Sequence, residues 1–494
     1  MALSRSSGLL LPVASLPGRH GIGSFNAEAY HFVDLLAAGG FKLWQILPLN
    51  PLGYGHSPYQ PFSSFAFDDL YIDLDALTEE GYLEAVPPFH QDSDKILYEE
   101  VKAYKDHFLR LAYDAQMAKQ PHCLEAFILA NPWVKDWAAF ILYKKRNSMA
   151  SWDTWPLAMQ DWIKTRPAFL KNDLYDYNYE IWLQMTLYRQ WDKLHSYANS
   201  KGISIIGDIP FYVGFDSCDV WANQSTFLLD QLTHQPSFIA GVPPDYFSKT
   251  GQRWGNPIYN WDLLAKTDFA FLENRILGNA KIYDIVRLDH FRAFDTFWKI
   301  PSSCPTAIDG QWIEAPGYAF FDSLLAKKPE LKAKIIAEDL GDLRPQVLTL
   351  RDHYDFPGMN VIEFTFTDAE VVHKAGVDWN KENSVCYLGT HDNDMMKGFY
   401  EKLDEGNKRS WNDALNRLGF ANGTINERFI AYALSKKAGY AIFALQDILE
   451  LGSEARINVP GIVDNINWTW RLLSFDRFAA KIDHLKELNL AAHR

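Results

Sequence analysis

The stretch Ile285-Val286-Arg287-Leu288-Asp289-His290-Phe291 opens on β-branched residues and closes on charge. Apolar residues at both odd and even positions mark a strand buried on both faces, as in a parallel sheet. Runs of the same kind recur at 8–13, 43–49, 203–209, 335–340, 360–364, 385–389 and 441–448, making eight in all, and each ends in polar, Gly or Pro residues. Helical periodicity falls between many of them, at 27–38, 181–200, 345–353, 407–418 and 427–437. Eight strands alternating with helices predict an α/β fold of the (β/α)8 TIM-barrel type.

A plain barrel takes about 250 residues. The chain has 494, so the excess must be insertions into one catalytic domain spanning 1–494. Two are visible: a mostly helical insertion subdomain over 51–200, after strand 2, and a lid or substrate-binding insertion over 214–277, after strand 3. Both leave from C-terminal strand ends, the barrel face on which active sites are built. The tail from Arg471 reads as a closing helix.

Lys plus Arg number 48 against 62 for Asp plus Glu, a formal charge of −14, which disfavours nucleic acid and anionic membrane surfaces as partners. No run approaches 18 apolar residues, and Leu9-Leu10-Leu11 is stopped by Pro12 and Pro17. Cys123, Cys218, Cys304 and Cys386 lie far apart, which indicates neither a disulfide framework nor a zinc knuckle and predicts a reducing, cytoplasmic setting. Aromatic residues reach 15% of the chain. Rings with one apolar face and one polar tip suit an amphipathic ligand.

Three strand ends carry the chemistry. Residues two apart on a strand share a face, so Arg287 and Asp289 project together and the guanidinium keeps Asp289 ionised, a nucleophile in waiting. Ile336-Ala337-Glu338-Asp339 places Glu338 at the next strand end against an apolar wall, an environment that suits a proton donor. Gly389-Thr390-His391-Asp392-Asn393-Asp394 follows the seventh strand and offers His391 and Asp392 to ligand hydroxyls. Two carboxyls and a third charge on one barrel face are the equipment of retaining glycoside chemistry, with the reacting pair about 5–5.5 Å apart. A lone strand-end carboxylate is more often a helix cap, and for Asp394 that reading is preferred. Asp208, in Gly207-Asp208-Ile209-Pro210, divides evenly between orienting the site and structural hydrogen bonding. His290 and His391 lack metal-binding spacing, so no metal is expected. Tyr246, Phe247 and Trp254 lie on Gly/Pro-rich loops that favour a cleft, as does 54–62, whereas Trp152 and Trp155 read as local packing.

These motifs resemble the 4-α-glucanotransferase (amylomaltase, disproportionating enzyme) family of the α-amylase superfamily. The match runs nearly the full length, through Ser57-Pro58-Tyr59-Gln60, Gly207 to Pro210, Gly241 to Pro257 and the three carboxylate motifs, to Asn467-Trp468-Thr469-Trp470-Arg471. The resemblance implies that Asp289 is the nucleophile, Glu338 the general acid/base and Asp392 the stabiliser of the distorted sugar. It gives Arg287, His391 and Tyr59 the sugar at the cleavage point, and Tyr246, Gln252, Trp254 and Asn458 the glucan chain. Ser57, Asp208 and Asp245 stand in the same motifs and count as substrate-binding. It further implies no cofactor and no C-terminal β-sandwich domain, with maltooligosaccharides and α-glucans as the partners. Departures from the family pattern fall at Ala293, Met395, Ile457 and Val459 and spare every carboxylate. A retaining α-glucan hydrolase and a catalytically silent glucan-binding protein are the alternatives.

Overall fold

A computed structural model describes residues 3–90, 93–244, 248–341, 343–365, 381–462 and 466–494. Its central sheet has eight strands: β1 (Ser6–Leu10), β2 (Leu43–Gln45), β3 (Ser204–Ile209), β4 (Ile285–Leu288), β5 (Ile335–Ala337), β6 (Gly358–Val361), β7 (Ser384–Tyr387) and β8 (Tyr440–Ala444). They pair in parallel in the order β6-β7-β8-β1-β2-β3-β4-β5. The remaining seam, β5 to β6, closes through Ala337 N–H donating to Pro357 O at 2.9 Å. Asp339 reinforces it, accepting from Met359 N–H at 2.7 Å while its other oxygen pairs with Arg351. The result is the expected (β/α)8 barrel.

The pleat sorts the side chains. Leu10, Leu43, Ile206, Ile285, Ile336, Met359, Val385 and Ile442, one from each strand, form a separate apolar cluster. Only the barrel interior lets all eight strands meet, so these residues point inward. Their neighbours Leu9, Trp44, Ile205, Val286, Ile335 and Phe443 join the large cluster shared with the helices. Two residues beyond Ile206, Ile285 and Ile336 come Asp208, Arg287 and Glu338, which the period of two carries to the same inner face at its C-terminal end. All eight observed strands overlap the expected runs, but β1, β2, β4, β5, β6 and β8 stop three or four residues short of the expected ends at 13, 49, 291, 340, 364 and 448. Past several of these ends apolar sequence continues because the turns that follow are buried: Phe291 is inaccessible within the 3-10 turn Phe291–Phe294, and Leu445 and Ile448 are buried in the short helix after β8.

Helices fill much of 51–200, the longest being Tyr98–Lys119, Val134–Arg146 and Lys171–Ser200. Trp155, Trp162 and Trp221 pack against one another and against Phe140 and Tyr143, and the buried Trp152 packs against Phe215 and His234, so the tryptophans around 152–162 are core. A second, antiparallel sheet has the order Gln252–Pro257, Phe238–Val242, Thr296–Pro301, Gln311–Glu314. Its first two strands come from the loop after β3 and its last two from the loop after β4, a contribution absent from the sequence reading. Ile482–Ala491 is the closing helix. Among the described residues no helix is long and apolar enough to cross a membrane, and the four cysteines are unpaired.

Gly207 fixes how β3 meets its neighbours. A Cβ built there would lie 2.1 Å from the Tyr283 ring, a clash in a packed layer. Gly207→Ala is therefore expected to lower stability by about 1–3 kcal/mol or more, read as a reduced midpoint in thermal unfolding. An unchanged midpoint would mean that Tyr283 swings aside without cost.

Candidate active site

The register of β3 against β4 sets Asp208 beside Arg287. Arg287 Nη1 donates to both Asp208 oxygens, at 2.9 and 2.7 Å, and also lies 3.0 Å from Asp289 Oδ1. Burial alone would lower the pKa of the guanidinium, but Asp208 and Asp289 outweigh it and hold the pKa well above its ordinary value. The two carboxylates differ in access. The Asp208 side chain is 0% exposed and that of Asp289 28%, so only Asp289 faces the cleft. Burial raises the Asp208 pKa against the pull of Arg287, and Tyr59 donates its hydroxyl to Asp208 at 2.7 Å. From a buried position Asp208 therefore holds two residues of the mouth, Arg287 and Tyr59, through hydrogen bonds.

Glu338 follows β5 and is held by two backbone donors, His290 N–H at 2.8 Å and Leu340 N–H at 3.0 Å. The first of these links Glu338 to the residue next to Asp289. His290 adopts the left-handed conformation, φ +50°, and this turn aims its N–H at the carboxyl. Burial, reinforced by the charge of Asp289 and opposed by Arg287, raises the Glu338 pKa to about 8. Glu338 thus holds its proton at neutral pH, beside the Arg287-paired Asp289. Burial lowers His290 to about 4, leaving its imidazole neutral.

Asp392 sits in a loop braced by Asn393, whose Oδ1 accepts from the backbone and hydroxyl of Thr390, each at 2.9 Å. Asn458 donates to Asp392 Oδ1 at 2.6 Å, and Arg456 donates to the Asp392 carbonyl at 2.6 Å. The Asp392 side chain is 46% exposed, the most open of the three. Asp394 is not the expected helix cap: Met395 occupies that position before Met396–Lys402. Asp394 instead accepts from Met395 N–H, Ser453 and Lys402, anchoring the loop from below.

Aromatic rings line the same mouth. Tyr59 stacks on His391 at 4.8 Å and 14°, with its hydroxyl 3.3 Å from Nδ1. Burial and Asp208 raise the phenol pKa well above its ordinary value, so the hydroxyl remains a donor. Trp254 meets His290 edge-on at 5.0 Å and donates to Gln252 Oε1 at 3.1 Å, while its carbonyl accepts from Gln60 at 3.2 Å. Ser57 accepts from Tyr59 N–H at 3.3 Å, a bond that folds the turn presenting Tyr59. Asp245, Tyr246 and Phe247 lie outside the described residues. Among the described residues no group of three or more His, Cys, Asp or Glu is arranged to hold a metal ion. Sequence reasoning passed over Arg456 and gave Trp468, quoted within the closing motif, no place in the site. The first stands two residues from Asn458, and the second has its ring 5.8 Å from Tyr59. Neither sits in a run of recognisable period.

Comparisons with known proteins agree with one another. A family model described as 4-alpha-glucanotransferase matches residues 11–476. The chain is 40% identical over 486 residues to the 4-alpha-glucanotransferase of Synechocystis sp., covering 94% of each chain. It is 38% identical over 486 residues to that of Thermus thermophilus, covering 96% of each. Among solved structures it is similar to the amylomaltase from Streptococcus agalactiae in complex with acarbose, with a TM-score of 0.93 and 36% identity, covering 99% of this chain and 100% of that one.

Proposed function

The chain belongs to the 4-alpha-glucanotransferase family, and from that premise we propose that Asp289, Glu338 and Asp392 move segments of α-1,4-glucan between acceptors by retaining double displacement. Asp289 Oδ attacks the anomeric carbon as Glu338 gives its proton to the departing glycosidic oxygen, leaving a glycosyl ester on Asp289. The shortened chain departs with its new 4-hydroxyl. Forming the ester discharges Asp289, which had helped to hold Glu338 protonated. The second half needs that release: Glu338, now a base, takes the proton from the 4-hydroxyl of an incoming glucan, whose oxygen attacks the ester and frees Asp289. A single observation carries this reading, the pairing of an open, Arg287-bound Asp289 with a Glu338 kept neutral by burial.

The other residues divide the substrate. Tyr59, His391 and Asp392 take the hydroxyls of the sugar at the cleavage point, with Arg287 and Asp208 fixing Asp289 and Tyr59 from beneath. Gln252, Trp254 and Asn458, together with Asp245 and Tyr246, contact the chain, and 51–200 and 214–277 wall the cleft. Ser57 acts through Tyr59. A neutral polysaccharide carries no charge for an acidic protein to repel. The unpaired cysteines support a cytoplasmic setting.

Maltotriose tests the reading. Transfer yields a ladder of longer maltooligosaccharides and glucose with the number of reducing ends constant. Hydrolysis raises that number steadily. A rise without any ladder would overturn transfer in favour of a retaining hydrolase, and the absence of all turnover would leave a glucan-binding protein.

A further inference from the structure

Beside the Tyr59–His391 stack lies a third ring. The Trp468 indole is centred 5.8 Å from Tyr59 and 6.0 Å from His391, tilted by 43° and 38°. Its backbone is left-handed, φ +67°, a conformation that a bulky residue keeps only where its surroundings impose it. Here they do. Trp468 N–H donates to Ile457 O at 2.7 Å, and Trp468 O accepts the Tyr98 hydroxyl at 2.7 Å. Asn467, the residue before, accepts from Val459 N–H at 3.0 Å and donates to Ile462 O at 2.8 Å.

Tyr98 opens the helix Tyr98–Lys119, and its ring stacks on His56 at 4.4 Å and 11°. Just before it, Lys95 and Trp470 form an antiparallel bridge. Ile96 N–H donates to Thr469 O at 2.7 Å, and Arg471 N–H to Asp94 O at 2.8 Å. The start of the helical region is therefore sewn to 468–471. That segment in turn bonds Ile457, the residue before Asn458, which holds Asp392. One connected structure thus runs from Tyr98 through Trp468 to both the Tyr59–His391 pair and the Asp392 loop.

We propose that Trp468 is a positioning residue for the Tyr59–His391 pair and that Tyr98 fixes it, making the first turn of Tyr98–Lys119 part of the device that orients the sugar at the cleavage point. This rests on the reading of Tyr59 and His391 as sugar-holding. Trp468 acts through the ring stack, which it flanks, and a stack free to tilt would present the sugar off line to Asp289.

Three variants test it in the full chain. Trp468→Gly accepts the left-handed backbone without steric cost and removes only the ring, Trp468→Phe restores a ring, and Tyr98→Phe removes a single hydroxyl. For maltotriose the expected result is a fall in kcat of about tenfold or more in Trp468→Gly with KM within about threefold, since misplacement acts on the reacting geometry. Trp468→Phe should recover most of the loss, and Tyr98→Phe should fall between them with an unfolding midpoint close to that of the parent. A kcat within about twofold of the parent in Trp468→Gly, no recovery with Phe, or losses that merely follow the unfolding midpoints would overturn the proposal. Should Trp468→Gly not fold, Tyr98→Phe decides alone, an unchanged kcat overturning it. All these are ratios to the parent, so a parent that hydrolyses instead of transferring would refute the transfer reading while leaving this test intact.

Discussion

Asp289→Asn should reduce transfer from maltotriose by about 10⁴-fold or more, the scale on which loss of a nucleophile is felt. The amide is the same size and cannot form the glycosyl ester, so both half-reactions are lost together. The fold has little reason to change. Arg287 keeps its two bonds to the buried Asp208, so no guanidinium is left unpaired in the barrel mouth. Glucan binding, followed by calorimetry, should stay within a few-fold of the parent, because Tyr59, His391, Asp392 and Trp254 are untouched. A further consequence separates this variant from one that merely distorts the site. Asp289 contributes to the raised pKa of Glu338, so Asp289→Asn should move the titration of Glu338 downward, observable by NMR of a labelled carboxyl. Near-normal turnover would remove Asp289 as the nucleophile, whatever the titration shows.

What could be read in advance followed the range of the interactions. The barrel strands were legible because burial on both faces writes an unbroken apolar run, and a period of two is enough to place Arg287 and Asp289 together. Partnerships between strands are a different matter. That Asp208 faces Arg287 depends on the register of β3 against β4, set by packing along the whole barrel, and the residues around Asp208 alone left two readings open. The second sheet was missed at Thr296–Pro301 and Gln311–Glu314 for a related reason. Gln311–Glu314 is mostly exposed, so it carries no apolar signature, and only pairing with Thr296–Pro301 makes it a strand. Asp394 failed as a cap because the carboxylate found stronger partners in Lys402 and Ser453, the latter 59 residues away in sequence.

Glu338→Gln gives the second large effect, and pH gives it a sign. Folding raises the Glu338 pKa from an ordinary 4.5 to about 8, and as the acid of the first half-reaction Glu338 must carry its proton. The parent's kcat/KM should therefore hold below about pH 8 and fall as pH rises through it. The same shift bears on stability: protons held more tightly by the folded form favour it fully below about pH 4.5, and that contribution disappears as pH climbs through about 8. Glutamine removes both dependences. It should cost about 10²–10⁴-fold in transfer, erase the alkaline limb assigned to Glu338, and leave the variant melting higher relative to the parent above pH 8 than below it. The loss should be selective for leaving groups that need a proton. α-Glucosyl fluoride departs as fluoride without acid help, so the variant should still glycosylate Asp289 from it, and azide, which needs no base to attack, should turn that ester into α-glucosyl azide. If Glu338→Gln is as slow with the fluoride and azide as with maltotriose, Glu338 is not the acid/base, and the raised pKa belongs to burial alone.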